Sequence, residues 1–201
     1  MFSGRILATI VLLLAAAPTV SAQDAPVRVR GTIERVEGDI YIVKARSGVE
    51  VKVKLPDNVM VVALTKATLA DIKQGSYVGV SGMPQPDGSQ KALEVHIFPE
   101  AMRGAGEGHR PWDLQPSSTM TNGAVEQTSA SADGQVLMLK YKDGEKKIIV
   151  SPSTPIVIYV SGDKGELKPG TPIFISVATK QPDGTLTTPR VNVGRGVAPP
   201  M

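Results

Sequence analysis

The sequence predicts an all-β chain in which one strand-rich unit is written twice. Three observations carry this. Gln85-Pro86-Asp87-Gly88 returns as Gln181-Pro182-Asp183-Gly184, Gly31-Thr32-Ile33-Glu34 matches Gly123-Ala124-Val125-Glu126, and the offset drifts only from 92 to 96 residues. Short runs alternate apolar and polar residues with a period of two. Turn pairs such as Gly38-Asp39, Ser47-Gly48 and Asp143-Gly144 separate these runs at short intervals.

In the first unit, Val27, Val29, Gly31 and Ile33 fall on one face and Arg28, Arg30, Thr32 and Glu34 on the other, the pattern of a half-buried strand. Ile40 to Ala45 returns, and Val49 to Leu55 alternates with Glu50, Lys52 and Lys54. Tyr41, out of phase with Ile40 and Ile42, is expected at the surface. Val59 to Leu64 is a further apolar run. Thr68 as N-cap, Asp71 three residues on and Gly75 as a stop predict a helix of barely two turns. Ser76 to Gly82 and Gln90 to Phe98 close the unit around the Pro86-Asp87-Gly88 turn.

The second unit repeats this order: strands at 122–129, 135–141 and 145–151, an apolar run at 155–160, and strands at 172–178 and 185–193. Gly162, Gly165 and Pro169 reduce the helix position to a turn or one 3₁₀ turn. Strand, strand, strand, short helix, strand, strand is the order of an OB-like small barrel. A two-sheet sandwich has similar strand spacing. The expectation is thus two tandem OB-like barrels, at residues 23–98 and 122–201, joined by a strap at 99–121.

Residues 1–22 read as a signal peptide: Arg5, the apolar run Ile6 to Ala17, and Val20-Ser21-Ala22 before Gln23. As a helix that run rises about 18 Å, against about 30 Å of bilayer hydrocarbon. The expected mature chain is periplasmic or secreted, without an integral membrane span. It has no cysteine, so its stability rests on burial rather than disulfides. The formal net charge of +3 comes from interspersed charges of both signs, and the few aromatic residues form no base-stacking platform. Nucleic-acid binding is therefore not expected.

Unusual side chains gather in the strap. Arg103, His109, Arg110, Trp112 and Asp113 are the candidate binding residues, and the only Trp of the chain is expected to be buried between the barrels. The competing set is for metal: Glu94 and His96, two apart on a strand, with Glu107 and His109 brought back by the strap. No HExxH spacing, nucleophile setting or phosphate loop is present, so neither catalysis nor a cofactor is expected, with a divalent metal as the alternative.

The segment Val95-His96-Ile97-Phe98-Pro99-Glu100-Ala101-Met102-Arg103, then Gly106-Glu107-Gly108-His109-Arg110-Pro111-Trp112-Asp113-Leu114, resembles exported proteins of Gram-negative bacteria. Tyr141-Lys142-Asp143-Gly144-Glu145-Lys146-Lys147 and the paired Pro-Asp-Gly turns are similar to the same group. These are tandem small β-barrel proteins of unknown function that often carry the label metal ABC transporter permease. A permease needs several spans of about 20 apolar residues. The resemblance therefore implies, at most, an exported accessory of a metal transport system. The residues themselves imply a non-catalytic binding or scaffolding protein whose partner is an envelope protein or another periplasmic ligand.

Overall fold

The computed structural model describes residues 27–132 and 134–199. The signal-peptide reading at 1–22 lies outside them. The described residues are all-β, apart from three 3₁₀ turns. Fourteen strands form one continuous sheet: β1 Val27–Glu37, β2 Ile40–Ala45, β3 Glu50–Lys54, β4 Met60–Ala67, β5 Tyr77–Pro84, β6 Gln90–Phe98, β7 Gly108–Pro111, β8 Thr119–Ser131, β9 Gly134–Tyr141, β10 Gly144–Val150, β11 Ile156–Ser161, β12 Pro172–Lys180, β13 Leu186–Thr187 and β14 Arg190–Gly194.

The pairing cuts across the boundaries expected at 23–98 and 122–201. β5, β8, β9, β10 and β6 pair in a cycle, a closed five-stranded barrel, so the hairpin of the first repeat joins the three-stranded meander of the second. β1, β2, β3, β13 and β12 form the second cycle, from the first meander and the last hairpin. The inner ring is thus continuous in sequence, and the outer ring is assembled from the two flanks. β4 and β11 pair antiparallel between the rings, with β14 beside β4 and β6 beside β11. The physical reason lies in β4. An extended run of this length carries the chain about 25 Å, far enough to deliver β5 to the other ring.

The repeat survives at atomic detail. Both meanders bulge at the matched residue, Glu34 in β1 and Glu126 in β8. Gly31 and Gly123 sit two strand positions earlier than the register shift, where a Cβ would meet the carbonyl of Lys44 in one case and of Lys140 at 2.5 Å in the other. Asp87 accepts from the Ser89 amide and hydroxyl at 3.0 and 2.6 Å, and Asp183 accepts from Thr185 likewise at 2.9 and 2.7 Å.

Each ring has its own core. Val29, Ile33, Val43, Val53, Ile175 and Val193 are among those filling the outer ring. Val78, Val80, Val95, Leu137, Leu139 and Ile148 do so for the inner. A third cluster, Val62, Leu64, Met120, Val157, Tyr159 and Phe174, lies in the seam between them.

Two local expectations change. Tyr41 is buried in the outer core, because its neighbours Tyr41↔Val53 and Val43↔Val51 across β3 share the inward face. The helix expected from Thr68 to Gly75 shrinks to one 3₁₀ turn, Leu69–Asp71. Asp71 accepts from the Thr68 amide and hydroxyl at 2.8 and 2.7 Å, which closes a capping box without room for a second turn. The degraded equivalent is one 3₁₀ turn, Lys164–Glu166, as its glycines predict.

Candidate functional site

The strap is ordered. Its first part makes a 3₁₀ turn, Glu100–Met102, with Arg103 Nε donating to Glu100 at 2.6 Å and Arg103 Nη2 to the Gly75 carbonyl at 2.9 Å. β7 then pairs with β8 of the inner ring, and the last strap residues, from Thr119, already belong to β8. Arg110 Nη1 donates to the Gly106 carbonyl at 2.6 Å. Burial, and then the Arg28 charge, lower the Arg110 pKa from its ordinary value.

From β7 the strap reaches the outer ring. Asp113 accepts from Arg30 Nη2 at 2.8 Å and lies 3.4 Å from Arg28 Nη1. Burial pushes the Asp113 carboxyl up, but the Arg30 hydrogen bond and the two guanidinium charges outweigh it, so its pKa falls. The Arg28 guanidinium lies 4.2 Å from the centre of the Trp112 ring, with Arg110 at 5.6 Å and Arg30 at 6.0 Å. Trp112 is half-buried against the seam cluster. It fastens one ring to the other less deeply than a fully enclosed indole would. Trp112→Ala is accordingly expected to cost less than the about 3 to 5 kcal/mol of a fully buried aromatic, and to shift the fluorescence-independent circular-dichroism melt downwards. An unchanged melt overturns this clamp role.

The four residues of the metal alternative are not brought together. His96 and Glu94 share the outer face of β6, with His96 Nε2 2.8 Å from Glu94 Oε1. His109 is three strands away across β5 and β8, and the pairings His109↔Thr121, Thr121↔Val80 and Val80↔Val95 put it on the opposite face from His96. Its Nδ1 is 2.8 Å from Thr121 Oγ1, whose hydroxyl donates to Gln90 Oε1 at 2.7 Å. Burial, with Lys146 and Arg110 adding to it, lowers the His109 pKa. Glu107 accepts from the Lys142 amide at 2.9 Å.

A cleft of about 1010 Å³ opens at the seam. Its floor comes from the repeated scaffold: Lys66 to Leu69 around the end of β4, Leu93 and Glu94 on β6, the loop Pro152 to Pro155 after β10, and Ile156 and Val157 at the start of β11. Its walls come from segments with no counterpart in the repeat, Leu114 and Gln115 of the strap and Gly196 to Ala198 of the tail, with Arg46 beside them. The tail is pinned there. The Arg195 amide donates to the Leu64 carbonyl at 2.9 Å, and Arg46 Nη2 donates to the Pro199 carbonyl at 3.2 Å. Arg195 also makes two hydrogen bonds of 2.7 Å to Glu166, whose carboxyl is thereby pulled down to about 2.

Sequence reasoning placed Glu94 and His96 on one face but gave no sign of the cleft. Arg28 and Arg30 were legible as the polar face of β1, but their strap partners were not. The tail carries no periodic signal at all. Among the described residues no helix is long and apolar enough to cross a membrane. No protein-family model matches the chain, and no curated protein or solved structure resembles it significantly.

Proposed function

We propose that the protein is a non-catalytic binding or scaffolding module of the bacterial envelope, exported through its N-terminal leader, with the seam cleft as its binding site. The single observation that carries this reading is where the cleft's walls come from. A duplicated scaffold supplies the floor, and two unduplicated segments, strap and tail, converge beside it. A volume of about 1010 Å³ matches the upper end of ligand pockets, roughly 300 to 1,000 Å³. Each ring reads as an OB-like barrel, since a three-stranded meander is closed by a hairpin in both.

The test is capture from envelope extract by the mature chain and by Leu114→Trp, which fills the cleft from the half-buried strap. A component held by the first and lost by the second, with matching melts, is the expected result. Equal capture by both overturns the assignment of the cleft. A stoichiometric divalent metal in the purified protein would instead favour the soluble metal-binding accessory.

A further inference from the structure

The outer face of the inner ring carries polar side chains where the seam would otherwise pack apolar ones. Glu94 and His96 are two apart on β6, and Ser81 lies opposite Glu94 on β5, so the three project from one face. Glu94 is 2 % exposed, and His96 and Ser81 are 0 % exposed. The Tyr159 ring meets His96 edge-on, 5.9 Å between centres. Burial and then the Glu94 charge raise the Tyr159 pKa, with Arg190 opposing them.

Four buried atoms here have no hydrogen-bond partner: Ser81 Oγ, Glu94 Oε1, and both ring nitrogens of His96. His96 Nε2 and Glu94 Oε1 are 2.8 Å apart but not in hydrogen-bonding geometry. An orphaned buried polar group costs about 1 to 3 kcal/mol, and native proteins keep few of them. Of the three residues, Glu94 alone also lines the cleft.

We propose that the cleft takes a primary ammonium group carried on an apolar chain, with the ammonium against the Glu94 carboxylate. The inference rests on the reading of the cleft as a binding site. An ammonium has three donors and no acceptor. Glu94 supplies an acceptor oxygen at the cleft, while His96 and Ser81 share its face of the sheet but do not line the cleft. Leu69, Leu93, Leu114, Ile156 and Val197 line the cleft for the methylenes.

Two cations also line it, Arg46 and Lys66. Arg46 is engaged by the Pro199 carbonyl, and Lys66 is exposed. Charge in water is screened and contributes little. The same charge held out of water acts several-fold more strongly, so the buried Glu94 decides the sign of the ligand.

Hexylamine, hexanol and hexanoate titrated into the full chain near pH 7, followed by two-dimensional NMR, separate the terms. The amine is protonated at that pH. Saturable binding of hexylamine, at least about tenfold tighter than hexanol, is expected, and Glu94→Gln should abolish the difference. Equal binding of amine and alcohol overturns the charge assignment and leaves the cleft as a binding site. A preference for hexanoate overturns it in favour of Lys66 and Arg46. No binding of any probe, with capture still sensitive to Leu114→Trp, overturns the ammonium proposal alone; no binding with insensitive capture removes the cleft reading too. Zinc that binds at one equivalent and displaces hexylamine would assign Glu94 and His96 to a metal. If Glu94→Gln does not fold, the amine-against-alcohol comparison on the unmodified chain decides.

Discussion

Leu137→Ala should lower the melting temperature by roughly 4 to 20 °C, in one step. Leu137 is fully buried at the centre of the inner ring, among Val80, Val95, Leu139 and Ile148. Truncating such a leucine costs about 2 to 5 kcal/mol, and a chain of this size loses roughly 2 to 4 °C per kcal/mol. That is a large part of the roughly 5 to 15 kcal/mol that holds a domain. One step is expected because β4 and β11 join the two rings into one sheet, so neither frays without exposing the seam cluster. The check is a circular-dichroism melt beside the unmodified protein. An unchanged midpoint, or two resolved steps, would contradict it.

Phe174→Ala should divide that step in two. Phe174 is fully buried in the seam, on β12 of the outer ring, with the Arg30 guanidinium 5.0 Å from its ring centre. The loss is about 3 to 5 kcal/mol. It falls on the contact between rings rather than inside either, so the outer ring, built from two distant parts of the chain, is expected to open first. Hydrogen exchange should then quicken in β1 to β3 and β12 before β8 to β10. Phe174→Leu, which keeps most of the volume, should retain one transition. Uniform loss of protection across both rings in Phe174→Ala would show that the seam does not set their coupling.

Strand positions were largely legible in the sequence, and strand partners were not. Val29 and Ile33 are core as the alternation reads, whereas Val27 is exposed, where the pairing of β1 with β12 shifts register. Gly123 and Gly31 mark the same corner in both meanders. Alternation fixes which face a strand buries, not which strand it lies beside. The two hairpins resemble each other closely enough that either could close either meander with the same residues inside. What decides is the direction of β4 and β11, a property of tertiary placement with no local signature. The site divides in the same way. The spacing of Glu94 and His96 put them on one face, but their burial depends on β11 lying alongside β6. Asp113 reads as an exposed acid until Arg28 and Arg30, more than 80 positions away in sequence, come beside it.

The sequence of one ring lies inside the sequence of the other, and this sets an order of assembly as the chain emerges from its N-terminus onward. Everything the inner barrel needs is present once β10 has emerged, since β5, β6, β8, β9 and β10 are consecutive apart from the strap strand. The first three strands cannot finish theirs until β12 and β13 arrive, more than a hundred residues later. Until then both outer edges of that early meander, on β1 and β3, stand unpaired. Such edges are templates for mispairing with another chain. An emerging chain of this architecture therefore benefits from a holding factor that covers its earliest strands, and any pause before β12 emerges would lengthen the interval of greatest hazard.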